Sequence, residues 1–393
     1  MARRNGGFIG TDGLDAPDPP TGVTVTSGVD GAASVAFTAP TDTGTSAITG
    51  FVAVSAGGIG ATNSSSPISI TGLTAGSATT IKVFAINAYG TSAPEFSDSF
   101  TPLASIAVFI GGTSAGGTDN VMDYVNIATT GNASDWGGCF YNQLGGGAGS
   151  STRGVFSTGK SHSSHSYGIG YITYSTTGNA ETFGDFSSST GNPNEPRIAM
   201  SNSTRAVFAR SENTNTLEYI TIASTGNASD FGDASDTVNK GAGTASKTRG
   251  VYSLGDAQGG VFDSIDYITI ASTGNAADFG NLTAQIGEEI AALSSNTRGV
   301  FGGGRNRENV IQYITIASTG NASDFGDLTA ATKFLAGTSN NTRGLFGGGN
   351  TSSGDTNVIS YITIASTGDA TDFGDLTVAR DDLAACGNAH GGL

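Results

Sequence analysis

The stretch from Thr297 to Thr329, TRGVFGGGRNRENVIQYITIASTGNASDFGDLT, is one copy of a phrase that the chain of 393 residues writes six times. Its leading tyrosine stands at Tyr124, Tyr171, Tyr219, Tyr267, Tyr313 and Tyr361, in steps of 47, 48, 48, 46 and 48 residues. A second anchor, the aromatic of the VFGG element, stands at Phe109, Phe156, Phe208, Tyr252, Phe301 and Phe346. A unit recurring every 20 to 50 residues or so is one supersecondary element stacked on itself, so the period speaks for the architecture.

Each copy reads as four strands. TRGVFGG supplies one strand, YITIA the next, S-T-G-N a tight hairpin and DFGDLT the outer strand, while the variable stretch before the next TRG supplies the innermost strand of the following unit. The first unit, which opens at Ser105–Gly112, lacks an innermost strand of its own. The last runs on into DDLAACGNAHGG, Asp381–Gly392, which aligns with EEIAALSSNTRG, Glu288–Gly299. The C-terminal stretch is therefore expected to complete the first sheet, with Cys386 falling where Leu293 and Met200 fall.

Composition agrees with many short strands. Gly at 61 residues is high, but Pro at 9 keeps the pair below the level of disordered low-complexity chains, which places the glycine in turns. A net charge of −16 carried by only 13% charged residues leaves no basic stripe, so nucleic acid is not an expected partner. The start MARRNGGFIGTDG has no apolar run behind its arginines, so neither a signal peptide nor a membrane span is expected. Cys139 and Cys386 are not closely spaced, and two free thiols are expected. Residues 1–15 read as an attachment peptide.

Between Pro17 and Pro102, short alternating apolar runs broken by Gly, Asn, Pro and Ser predict an antiparallel sandwich over residues 16–101, joined by a linker at 102–105 to the repeats at 106–393. Its strand cores are Val23 and Val25, Val35 and Phe37, Phe51 to Val54, Ile68 and Ile70, and Ile81, Val83 and Ala85. PDPPTGVTV, VAFTAP and ITGLTAGSATTIKVFAINAYGTSAP resemble a fibronectin type III domain, with Phe37 where that family has a tryptophan and Thr79 where it has a corner tyrosine. The repeats resemble kelch units, with Trp136 once and then Phe183, Phe231, Phe279, Phe325 and Phe373 in the tryptophan place. The resemblance implies an all-β chain: a fibronectin type III-like sandwich followed by a six-bladed kelch-like β-propeller closed by the C-terminal strand.

No Ser-His-Asp, Cys-His or paired-carboxylate constellation stands out, so no catalytic residue, metal ligand or cofactor is expected. Arg153, Arg205, Arg249, Arg298 and Arg343 recur together with acidic residues beside the F-G pair, and a ring of Arg to Asp contacts between neighbouring sheets is expected from that repetition. Strands alternate in direction, so the near-invariant STGNA and S/N-T-R-G turns share one face. The irregular loops KSHSSHSYGIG, SSSTGNPNEPR, RSENTNTLE and GGRNRENVIQ share the other. Binding residues commonly sit on variable loops held by a rigid frame, which makes His162, His165, Tyr167, Asn194, Arg305, Asn306 and Arg307 the candidate contacts.

Sandwich, propeller and a Gly/Ser/Thr/Asn-rich surface together resemble structural proteins of tailed bacteriophages. That resemblance implies a non-enzymatic virion component, a head decoration, fibre or tail appendage, assembled in the host bacterial cytoplasm. It would dock on other virion proteins through the N-terminal peptide and sandwich, with host-surface glycan as a ligand of the propeller loops. A bacterial glycan-binding or glycan-cleaving propeller with an accessory sandwich is the alternative, and a kelch-type intracellular adaptor, binding peptide in the central channel, is a third.

Overall fold

The computed structural model describes residues 14–140, 145–158, 168–187, 198–210, 214–257, 260–261, 263–283, 287 and 289–393. Among them there is no helix, and none is available to cross a membrane. The expected attachment peptide lies outside the described residues except for Leu14 and Asp15. The chain divides into two compact units, one ending at Ser105 and the other spanning Ile106–Leu393.

The first unit pairs Thr21–Ser27, Ala33–Thr38 and Ile68–Ile70 in one sheet. The second sheet holds Gly60–Asn63, Ile48–Ser55, Ile81–Asn87 and Gly90–Thr91, with Glu95–Phe96 also on Ile81–Asn87. Strict alternation along Ile81–Asn87 buries Ile81, Val83 and Ala85 against Val35, Phe37, Phe51 and Ile70. Thr79 exchanges both backbone hydrogen bonds with Phe100, which ties that corner without a tyrosine hydroxyl. Asn87 is buried: its amide donates to the carbonyls of Asp15 and Thr43, and its Oδ1 accepts from the N–H groups of Tyr89 and Gly90.

The second unit is propeller-like, with six four-stranded antiparallel sheets. From the innermost strand outward, sheet V runs Ile290–Ser294, Arg298–Gly303, Glu308–Thr315, Ser323–Thr332, in the order read from the repeat. Sheets II, III, IV and VI begin with Gly147–Gly149, Ile198–Ser201, Gly243–Ala245 and Ala336–Ser339. Sheet I takes its innermost strand from the far end of the sequence, where Ala384–Gly387 pairs antiparallel with Ile106–Ile110, Cys386 opposite Val108. Each innermost strand neighbours two others, and the neighbour relations lead from sheet I through II to VI and back to I.

Hydrophobic core sits in the seams between sheets. At the VI/I seam Phe109, Val125 and Ile127 of sheet I pack with Leu345, Ile359 and Phe373 of sheet VI. Within each of sheets II to VI the leading tyrosine meets the outer-strand phenylalanine edge to face, as Tyr313 meets Phe325 with ring centroids 6.0 Å apart. Such pairs contribute about 0.5–1.5 kcal/mol beyond burial.

The STGN turn does more than close a hairpin. Gly368 and Ala370 of sheet VI donate backbone N–H groups to the carbonyls of Phe325 and Asp327 on the outer strand of sheet V, and Asp327 donates its own N–H to Asp369 Oδ1 at 3.0 Å. The same latch joins sheet I to sheet VI: Gly131 to Phe373, Ala133 to Asp375, and Asp375 N–H to Asn132 Oδ1 at 3.1 Å. The glycine of the F-G pair lets the two backbones touch, since a Cβ on Gly374 would lie 2.4 Å from the Gly131 carbonyl oxygen. This explains why G-N and F-G recur as a set.

The recurring arginines also work between sheets, with a different partner from the one expected. Arg153, Arg205, Arg249, Arg298 and Arg343 donate Nη1 to the carbonyls of Ile222, Ile270, Ile316, Ile364 and Ile127 in the next sheet, at 2.8 to 3.0 Å. Each guanidinium lies over the leading tyrosine of its own sheet, 4.1 Å from the ring centre for Arg298 and Tyr313. The planar cation stacks on the ring and spends a donor on a carbonyl at the strand end, so the D-F-G-D carboxylates are not its partners. In sheet I the arginine place holds Ile106, and in sheet II the isoleucine whose carbonyl would accept is replaced by Tyr174; both join an apolar cluster with Trp136.

Candidate binding face and axial space

Antiparallel order puts the loops between the second and third strands on the same face as the entries to the innermost strands. Around that mouth Lys240, Glu289, Phe334 and Asp382 hold left-handed backbone with φ of 54°, 61°, 58° and 54°. Three bonds chain them: Glu289 N–H to the Lys240 carbonyl, Phe334 N–H to that of Glu289, and Asp382 N–H to that of Phe334. The Glu289 carboxylate, itself buried, receives Lys240 Nζ at 3.5 Å and Lys333 Nζ at 3.3 Å. Along these four residues the rim is thus an arc of linked backbone that carries charges of both signs.

Inside the rim the innermost strands enclose little space. A cavity of about 70 Å³ lies behind Lys240, Glu289 and Phe334. A second, of about 40 Å³, is lined by residues of all six innermost strands. Glycine and alanine line both because their walls converge. Spaces of this size hold a few waters.

At the second cavity the segment Asn388–Leu393 crosses from sheet I toward the others. His390 Nε2 donates to the Gly149 carbonyl at 2.9 Å, its Nδ1 accepts the Gly392 N–H at 3.1 Å, and Gly391 N–H reaches the Ser294 carbonyl. Burial pulls the His390 pKa below its ordinary value, consistent with the neutral ring those partners require. Gly391 and Gly392 fit only as glycines, because a Cβ on either would lie 2.2 and 1.9 Å from the carbonyls of Ser295 and Ser201.

Of the residues expected at the binding face, His162, His165, Tyr167 and Asn194 lie outside the described residues. Arg305, Asn306 and Arg307 are together at the exposed tip of the sheet V loop, with Asn306 and Arg307 at φ of 67° and 62°. Arg307 Nε and Nη2 both donate to Asn350 Oδ1, at 3.1 and 2.7 Å, and Asn350 Nδ2 donates to Asp355 Oδ1 at 2.7 Å. Arg307 therefore braces the loops of sheets V and VI, while Arg305 and Asn306 stand at the tip.

Two buried features escaped the sequence. Arg380 and Asp123 are fully buried and meet at 2.7 Å, and Arg380 Nε donates to the Gly111 carbonyl at 2.7 Å, pinning the segment after sheet VI onto sheet I. Asp381 beside them has its carboxyl pushed up to about 7, by burial first and then by Asp382 and Asp355, against the opposing pull of Lys333. Arg380 and Asp123 lie 257 positions apart, and the one similar pair, Arg210 with Glu218 in sheet III at 3.6 Å, takes its arginine from a different place in the unit, so no motif exposes the pairing.

Neither a protein-family model nor a curated protein matches this chain. Among the described residues no group of three His, Cys, Asp or Glu is placed to hold a metal ion.

Proposed function

We propose that the six sheets close into a single six-bladed propeller and that the chain is a non-enzymatic structural component of a tailed-bacteriophage virion. In this reading the first unit is a fibronectin type III-like spacer, docking is through the N-terminal side, and the propeller presents its loops to the host surface. The observation that carries the recognition role is the division of labour between the two faces. The repeated turns are consumed by latches and arginine bonds between sheets, so their sequence cannot vary without loosening the ring. The opposite face carries loops of differing length and sequence on a fixed rim, the arrangement that recognition needs.

The assignment to a virion rests on the module combination and the surface composition. An electron-microscopy map of the particle containing this chain is the test. Residues 1–15 are expected to be buried against another subunit with the variable loops facing outward. A map with those loops buried against the particle, or sugar hydrolysis by the purified chain that a single loop substitution abolishes, would overturn the reading.

A further inference from the structure

Five of the six seams share a small polar joint or its replacement. The residue before the leading tyrosine accepts hydrogen bonds from a Ser or Thr just past the outer F-G-D of the preceding sheet. Thr377 donates its N–H and hydroxyl to Asp123 at 3.2 and 2.6 Å, Ser235 both groups to Asp266 at 2.8 Å, and Thr283 both to Gln312 Oε1 at 2.6 and 3.0 Å. Ser187 donates its N–H to Glu218 at 2.9 Å. At the I/II seam the two places hold Phe140 and Gly170, a large residue matched to a small one.

The V/VI seam alone keeps the donor and loses the acceptor. Thr329 occupies the donor place, and the acceptor place holds Ser360, whose hydroxyl sits one carbon from the backbone and makes no bond to Thr329. The ladder register jumps from Val310–Asp327 to Glu308–Thr332, leaving Thr329 without an opposite residue. A cavity of about 260 Å³ opens there, its walls including Leu328, Phe346 and Val358 on the apolar side and Thr329, Ser360 and Asp372 on the polar side. Among the described residues of this unit, Val358 and Val378 are the large apolar side chains left exposed. The volume is just below the range of about 300–1,000 Å³ for drug-sized ligands, which suits one ring rather than a chain of them.

We propose that this seam pocket binds the N-acetyl group and ring of a single N-acetylated sugar, the acetamide oxygen replacing the carboxylate or carboxamide oxygen that the other seams supply. The acetyl methyl meets Leu328, Phe346 and Val358, the oxygen accepts from Thr329, and ring hydroxyls donate to the Asp372 carboxylate. A neutral acceptor fits better than an anion because Asp372 lines the wall and the chain carries a net charge of −16. The inference rests on the reading of the propeller as the domain that recognises the host surface, and it names the ligand class.

The test titrates the full chain with N-acetylglucosamine and with glucose by saturation-transfer NMR. The expected result is millimolar binding of the N-acetylated sugar with the acetyl methyl most strongly saturated, and no saturation of glucose. S360Q, which copies Gln312, is expected to refill the seam, raise the Tm and weaken binding at least about tenfold, the scale of losing a made hydrogen bond together with its pocket. If S360Q does not fold, T329V supplies the same test, with binding expected to fall by about threefold or more from loss of the hydroxyl donor alone. No acetyl saturation in the parent chain, or unchanged affinity in the folded variant, overturns the site. Adsorption to host cells separates this outcome from the broader reading: cell binding lost in R305A but kept in S360Q sinks the pocket and leaves the function standing. Sugar binding without cell adsorption does the reverse.

Discussion

Arg343 Nη1 donates to the carbonyl oxygen of Ile127 at 2.9 Å across 216 positions of sequence, joining sheet VI to sheet I by the bond that Arg298 makes to Ile364 within the run of repeats. In a ring the two seams are equivalent; in an open stack the first does not exist. R343A and R298A should therefore destabilise the second unit by similar amounts, about 1–3 kcal/mol each from the lost charged hydrogen bond and ring stacking. Urea unfolding of the two variants measures this. A cost for R298A with none for R343A would show that the last sheet does not press on the first.

The periodicity made the strands, their order and the C-terminal partner of Ile106–Ile110 legible, because those depend on alternation and on counting units. It also marked the arginines as joints. Their partners were not legible, because a backbone carbonyl leaves no trace in sequence and the nearby aspartates offered a more visible answer. S-T-G-N reads as a hairpin and F-G as part of an outer strand, whereas Gly374 is fixed by the approach of Gly131 from another sheet, a contact between residues 243 positions apart that no local pattern signals. Ser360 was hidden for a related reason: one short side chain in a variable column means something only when Asp123, Glu218, Asp266 and Gln312 are seen to occupy its place.

The Arg380–Asp123 pair should be far more costly to break than to replace. Both are fully buried, and Asp123 also accepts from Thr377, so removing one partner strands a charge among Phe109, Met122 and Gly111. D123A is expected to cost about 3–5 kcal/mol, while the double variant R380M/D123L should recover part of that loss. Denaturant titration of the three chains tests the coupling. Additive costs would mean that the two charges do not hold each other.

Cys139 and Cys386 are buried and form no disulfide, and burial pushes the Cys386 thiol up to about 12, against a lowering hydrogen bond with Tyr174. The thiolate is the reacting form. Ellman's reagent at pH 8 should therefore find no fast-reacting thiol in the native chain and two in guanidinium. One thiol reacting within seconds under native conditions would show that the seam between sheets I and II opens.

Acid should stabilise this protein locally where it usually harms. The folded Asp381 carboxyl titrates near 7 against 3.8 for the unconstrained group, so the folded state holds the proton more tightly than the unfolded one. The stabilisation from this group is complete below about pH 4 and is lost as pH rises through about 7. Its cause is burial first, then the facing carboxylates of Asp382 and Asp355, with Lys333 pulling the other way. D381N keeps the shape and removes the titration. Between pH 5 and pH 8 the parent chain should lose more Tm than D381N, with the variant the more stable of the two at pH 8 and the difference shrinking toward pH 5. Salt should reduce the gap, because part of the repulsion is felt through solvent. Parallel Tm profiles across that window would mean that Lys333 and solvent already neutralise the cluster, and that the contact between Asp381 and Thr113, made through both backbones, holds the mouth of sheet I independently of charge.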